Sequence, residues 1–238
     1  MQFGPPNVIY RETIAQRAEG FYAYTMPKPC WAVIKFAIEP LPRGSGVVFE
    51  SIVPARDIMP RYQHQVEQAI PIATRQGMLG WQVDDVKITL IDGNHHLIHT
   101  HPLDFIVATP VAFLDGLRRG GSVLLEPVLD MRITVPEDCA GRVMGEIIAM
   151  RGETIDSQAV RDMIRMVCEV PVATSVDFSQ RLAAITGGRG AMSTSLKGYR
   201  ECPLDMGKTC ERRGVHPLDT SKYILAARSA LDGGIFDF

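Results

Sequence analysis

From Leu124 onward the hydrophobic period alternates between two and 3.6 in a fixed order, and that order leaves few folds open. Leu124 to Val135 reads as a long apolar strand. Pro136-Glu137-Asp138 then starts a helix, with acids in the first turn where the helix dipole favours them. The helix runs to Met150 and stops at Gly152. Glu153 to Met163 is a polar strand and Ile164 to Val172 a buried one. Phe178 to Thr186 forms a second helix, closed by Gly187-Gly188, and Met192 to Tyr199 a last strand. A β-α-β-β-α-β chain of this length predicts a ferredoxin-like sandwich over residues 122–205, with both helices on one face of an antiparallel sheet. A tail, 206–238, follows; it ends in a helix from Ser221 to Leu231 that packs through Tyr223, Ile224, Leu225 and Ala227.

Gly120-Gly121-Ser122 is the sharpest composition break and separates this unit from a first domain, residues 6–121. Pro5-Pro6 bars an earlier helix, and Val8 to Tyr24 reads as extended. Trp31 to Pro40 alternates as a strand with one buried face. The turn Leu41 to Gly46 leads to a second strand, Val47 to Val53, and the two are expected to pair as a hairpin. Helices are expected at Pro60 to Gln76 and Pro102 to Arg119, each kinked by an internal proline, Pro71 or Pro110. Two such domains make an α+β protein.

Between those helices lies Gly80 to Phe105. Val83, Val86, Ile88, Leu90 and Ile91 carry a strand pattern, and Asp92-Gly93 is expected to end it. The loop that follows is Gly93, Asn94, His95, His96, Leu97, Ile98, His99 and Thr100, and Pro102 restarts the chain at a helix N-terminus. Four of the six histidines sit here, at 95, 96, 99 and 101. A loop fed by a strand and held by a helix is suited to carry a contact surface.

Several chemistries find no support. A net charge of −2 excludes a bulk basic protein held to nucleic acid by total charge, though not a local basic face. The five cysteines are scattered, with no C-x-x-C pair, and read as reduced thiols of a cytoplasmic protein. No apolar run reaches the length of a membrane span. The histidines could offer zinc ligands, but adjacent residues of an extended loop point apart and the spacing fits no zinc pattern. Asp84-Asp85 cannot act as a dyad for the same alternation reason, and reads as a pair of solvated acids at a strand end. There is no nucleophile elbow and no phosphate-binding loop of P-loop form; Gly187 to Gly190 follows a helix instead of opening one. The chain is therefore expected to be non-catalytic, with no cofactor of its own. Local basic groups remain at Arg43, Arg118-Arg119, Arg151, Arg189, Arg212-Arg213 and Lys222, in turns or at helix ends where phosphate contacts need no base specificity.

Taken in order, these segments resemble the two C-terminal domains of a translational GTPase. Leu124-Leu125-Glu126-Pro127-Val128 through Thr134-Val135-Pro136-Glu137 resembles the opening of the last domain of elongation factor G. Arg151-Gly152 and Gly188-Arg189-Gly190 fall where that family carries similar motifs. Leu90 to His99 is similar to its strand and loop L-x-D-G-S-Y-H-x-V-D. Glu39-Pro40-Leu41-Pro42-Arg43-Gly44-Ser45-Gly46, Pro102-Leu103-Asp104-Phe105, Leu196-Lys197-Gly198-Tyr199 and the tail from Arg212 to Asp219 look closer to the tetracycline ribosomal protection proteins. The resemblance covers roughly residues 6 to 231.

What the resemblance implies goes beyond composition. The first domain would share the fold of the second domain of ribosomal protein S5, and the second would be ferredoxin-like. The loop 93–100 would be a tip that reaches the 16S rRNA of the small-subunit decoding centre and displaces tetracycline. The turn Arg43, Gly44, Ser45, Gly46 would be a neighbouring loop. Arg212, Arg213, Ser221, Lys222 and Tyr223 would add tail contacts near the tip or to rRNA. The second domain would lie at the stalk base of the large subunit. The chain would be a monomeric C-terminal fragment; GTP and Mg would belong to a GTPase domain of the full-length parent. Where protection proteins carry Ser-Pro-Val at the apex, this chain has Leu97-Ile98-His99. The translocase version of the module, in which the tip holds the tRNA–mRNA pair, and a His-cluster metal protein are the alternative readings.

Overall fold

The computed structural model describes residues 7–25 and 30–228. Pro5-Pro6 and residues 229–231 of the expected terminal helix lie outside them. The described residues divide into two compact units: 11–124 with 203–228, and 7–10 with 125–202.

In the first unit β1 (Arg11–Ile14) and β5 (Gln82–Val83) form a short parallel pair. The main sheet has the order β2 (Ala18–Tyr24), β3 (Ala32–Pro40), β6 (Val86–His95), β4 (Val47–Ser51). Two helices, α1 (Pro60–Thr74) and α2 (Pro102–Gly120), cover one face. Period-two alternation explains the core: Ile34, Phe36 and Ile38 of β3 and Val86, Ile88 and Leu90 of β6 are buried. The helix α2 is buried almost all round from Asp104 to Leu117, so it is the element the sheet closes on. Both prolines, Pro71 and Pro110, lie inside their helices.

The expected β3–β4 hairpin does not form. Strand β6 inserts between them, antiparallel to β3 and parallel to β4. The connection 41–46 spans the two interstrand steps, about 10 Å, that this insertion requires. Asp85 organises that end of the sheet and is not a solvated acid. It is 4% exposed, holds φ of 54°, and accepts the Gly46 N–H at 3.0 Å. Its backbone carbonyl accepts from Leu41 N–H and the Thr13 hydroxyl, and Arg43 lies 3.7 Å from its carboxylate.

Nor do Asp92-Gly93 end the strand. A bulge places Lys35 opposite Asp92 while Phe36 faces Leu90, so Ile91 is the extra residue. The bulge changes the strand's phase: Gly93 and His95 now face the helices, and Asn94 the open side. Only glycine fits at 93, because a Cβ there would collide with the Val33 carbonyl and lie 2.5 Å from Ile58 Cδ1.

A second internal anchor is Glu12, fully buried on β1. Its carboxylate accepts the N–H groups of Leu79 (2.9 Å) and Trp81 (3.1 Å), fixing the 77–81 loop. Burial pushes this carboxyl from 4.5 up to about 7, against the downward pull of those N–H bonds. The folded value lies above the unfolded one, so the contribution is complete below about pH 4.5 and lost as pH rises through about 7. We expect urea-unfolding free energy to fall by up to about 3 kcal/mol from this group between pH 5 and 8. The difference curve against Glu12→Gln isolates it; parallel pH profiles of the two proteins would refute the assignment.

In the second unit the sheet order is β10 (Ala191–Glu201), β7 (Ser122–Pro136), β9 (Met163–Pro171), β8 (Glu153–Val160), with every neighbour antiparallel. Helices α3 (Glu137–Ala149) and α5 (Phe178–Thr186) bury Met131, Ile133, Val135, Val143, Ile147 and Phe178; a single turn, α4 (Val172–Ser175), precedes α5. This is the expected ferredoxin-like βαββαβ arrangement. Within the apolar strand β7, Glu126 is 1% exposed and held by Arg151 through both carboxylate oxygens and by Arg200 at 3.0 Å. Arg151 is thereby committed to an internal ion pair. At the surface Arg189 meets Asp138, and Arg118 and Arg119 both reach the buried Asp115.

Candidate functional site

The chain leaves β6 at His95 and enters α2 at Pro102; between them it makes one turn whose interior is built from its own histidines. His96 exchanges two bonds with Thr100, its N–H to the hydroxyl at 2.8 Å and its carbonyl from Thr100 N–H at 3.0 Å. The His96 Nδ1 accepts the N–H groups of Ile98 (3.2 Å) and His99 (3.3 Å). Its ring stacks on His99 at 4.5 Å and lies 5.4 Å from Trp31. Trp31 is held in turn by its indole N–H on Asn94 (2.9 Å), and its carbonyl accepts the Thr100 hydroxyl at 2.6 Å.

The base of the turn is equally fixed. His95 donates both its backbone N–H (3.0 Å) and its Nδ1 (2.7 Å) to the Asp57 carbonyl and packs on Tyr62, which stacks on Phe105. Asp104, 2% exposed, accepts the N–H of His101 (2.9 Å) and of Trp31 (3.0 Å), tying the start of α2 to the start of β3. His101 Nδ1 donates to the His99 carbonyl at 3.0 Å. What this framework presents outward is Leu97 and Ile98, each 77% exposed. Two aliphatic side chains held on a braced turn offer apolar surface and no group suited to bond chemistry. Among the described residues no group of three or more His, Cys, Asp or Glu is placed to hold a metal ion.

The structure does not bring the Arg43, Gly44, Ser45, Gly46 turn to the tip. That turn adjoins Val86, and the tip begins at His95, roughly 30 Å away at about 3.3 Å per strand residue. The loop that does adjoin the tip is 52–59, the connection from β4 to α1, through the Asp57–His95 bonds. Its Arg56 and the first-turn Arg61 of α1 are exposed cations. Trp31, Asp57, Tyr62 and Asp104 therefore belong to the tip, although none of the first three is near it in sequence. Paired polar groups at such distances carry no local signal; only Asp104, three residues after His101 at a helix start, had one.

The tail residues separate into two kinds. Arg212 donates to the carbonyls of Gln76 (2.6 Å) and Gly77 (2.9 Å), and Arg213 N–H to Gln76 Oε1. The strap is completed by Cys210 N–H on Leu79 and the Trp81 indole on Lys208. The terminal helix α6 (Thr220–Ala227) buries Tyr223, Ala226 and Ala227 in the first unit's core, with Leu225 turned outward. Burial raises the Tyr223 hydroxyl and lowers Arg212 from their ordinary values. Arg212 and Tyr223 are thus internal fasteners, unavailable for RNA; Arg213, Ser221 and Lys222 stay on the surface. Just past α6, Arg228 donates twice to the Tyr24 hydroxyl, and together they line a cleft with His101, Leu103, Asp104 and Val107. The tail helix therefore ends against the base of the tip.

None of the five cysteines forms a disulfide, and no described helix is long and apolar enough to cross a membrane.

Comparison with known proteins finds two family matches along the chain. Residues 6–121 match the family "Elongation factor G, domain IV", and residues 123–210 match "Elongation factor G C-terminus". The tetracycline resistance protein TetP of Clostridium perfringens is 29% identical over 236 residues, 97% of this chain and 36% of that protein. An elongation factor G-like protein of Thermotoga maritima is 33% identical over 208 residues, 85% of this chain and 30% of that protein. A crystal structure of a Thermus thermophilus protein superposes with a TM-score of 0.77 at 28% identity, over 86% of this chain and 31% of that one. The chain thus spans about a third of the length of the relatives it matches.

Proposed function

We propose that this chain, which belongs to the elongation factor G family through domain IV at residues 6–121 and the C-terminus at 123–210, is a ribosome-binding module of a tetracycline ribosomal protection protein. Its turn 93–100 reaches the 16S rRNA of the small-subunit decoding centre, and Leu97 and Ile98 occupy the surface from which the drug is displaced. The second unit docks at the stalk base of the large subunit. The work is mechanical. No residue of this chain does bond chemistry, and GTP and Mg act in a GTPase portion of the full-length protein, whose turnover loads and releases the module.

The observation that carries this reading is the pair of exposed aliphatic side chains on a turn braced by Trp31, His96 and Thr100. A flexible loop would lose much of its contact energy to ordering, whereas a preformed one keeps it. Arg56 and Arg61 stand beside it to meet phosphate. The similarity to TetP extends over 236 residues and so takes in the tail that ends beneath the tip. That extent favours the protection reading over the translocase one.

The test is growth of a tetracycline-sensitive bacterium carrying the full-length protein, against the same protein with Leu97, Ile98 and His99 changed to Gly. Drug resistance lost in the triple variant supports the proposal. Absence of resistance from a parent that binds ribosomes and hydrolyses GTP would move the assignment to a translocase-like factor.

A further inference from the structure

We propose that His96 is the positioning residue of the tip, and that it holds the turn only while its Nδ1 is unprotonated, so that tip order responds to pH. The geometry leaves that nitrogen one role. Two backbone N–H groups, those of Ile98 and His99, converge on it at 3.2 and 3.3 Å. It must accept, and the ring proton of the neutral form belongs on Nε2. A second proton would set an N–H against two N–H groups and release the residues that carry Ile98 outward. The arrangement is that of an Asx turn, in which a side-chain acceptor caps the N–H groups two and three residues on. Here an imidazole takes the place of the carboxamide oxygen, and its ring adds the stack on His99 and Trp31.

This explains how the turn keeps its form with no proline in it. It also gives one of the four clustered histidines a role distinct from the others. His95 and His101 use Nδ1 on the carbonyls of Asp57 and His99, where a donor is required, so protonation leaves those bonds intact. The charged and titratable groups of the elements around the turn are His95, His99 and His101, Arg56 and Asp57 of the 52–59 connection, Arg61 of α1, and Asp104 of α2. Asp104 is committed to the N–H groups of Trp31 and His101.

The inference needs the assigned function only for its ribosome arm, so the first readout is made on the 238-residue chain alone. Long-range imidazole 15N spectra identify the protonated ring nitrogen, and hydrogen exchange reports the Ile98 and His99 amides. His96→Asn keeps an acceptor at the same place and does not titrate; His96→Phe keeps a ring and has no acceptor. At pH 8 we expect His96 as the Nε2–H form, with both amides exchanging roughly fivefold more slowly than in the Phe variant, the worth of one ordinary hydrogen bond each. Acidification that protonates Nδ1, read from the same 15N spectra, should bring the native protein to the level of the Phe variant and leave the Asn variant unchanged. A proton on Nδ1 at pH 8, or Asn and Phe variants that behave alike, would overturn the proposal. Ribosome co-sedimentation then adds the functional arm: relative to its own binding at pH 8, the native chain should lose binding where the spectra show Nδ1 protonated, and the Asn variant should not. If the spectra follow expectation and no protein sediments with ribosomes at either pH, the His96 role stands and the ribosome assignment fails.

Discussion

Gly20→Val is expected to unfold the first unit or to cost at least about 3 kcal/mol, the upper range for overpacking a core. Strand β2 and helix α2 meet backbone to backbone at this residue. A Cβ on Gly20 would overlap the Ala112 carbonyl, lie 2.7 Å from the Gly116 nitrogen and 2.9 Å from its Cα. Gly116 returns the constraint, since a Cβ there would lie 3.0 Å from Gly20 N and 2.6 Å from Ile38 Cδ1. None of the backbone atoms can swing aside as a side chain would; relief requires α2 to move off the sheet. Because His101 and Asp104 open that helix, the tip would be displaced with it. Urea unfolding of the chain measures the loss, with Gly141→Ala as control. Gly141 lies inside α3 with open space around it and should gain about 0.5–1 kcal/mol. A Gly20→Val protein as stable as the parent would show that β2 and α2 do not approach as described.

The parts of this molecule that a reader could take from sequence are those with a local cause. The β-α-β-β-α-β order of the second unit follows from runs whose period and end signals are contained in ten or fifteen residues, and it emerged as expected. That a turn separates a strand from a helix near residue 100 was legible too, because a strand pattern, four histidines and Pro102 lie within one stretch. What failed depended on partners distant in the chain. Arg43 and Arg212 looked like surface cations until Asp85 and the carbonyls of Gln76 and Gly77 were found against them. Tyr223 reads equally well as a stacking residue or as packing, and only the α2 surface decides that it is packing. Strand β6 runs past its expected end because Asp92-Gly93 is a turn signal by composition, whereas here the glycine answers a close approach by Val33 and Ile58. The β3–β4 connection looked like a hairpin because nothing local announces that β6, arriving some forty residues later, separates the two strands.

The joint change Leu97→Asp and Ile98→Asp should separate binding from stability. Both side chains are 77% exposed and hold nothing together, so stability should stay within about 0.5 kcal/mol of the parent, as for surface positions generally. Ribosome affinity should not. Burying a Leu or Ile in an interface is worth about 1.5–3 kcal/mol when complete. The two together supply about 3 kcal/mol even at partial burial, or roughly a hundredfold in affinity. On the proposed function, aspartates at the same places would add repulsion from rRNA phosphates. The measurement is equilibrium binding of purified chain to small subunits at two salt concentrations, with unfolding run in parallel. A large loss of binding at unchanged stability separates a contact surface from a structural turn. Equal binding by the two proteins would mean that the ribosome meets this domain elsewhere. The exposed aliphatic pair would then need another partner to account for a turn so heavily braced to present it.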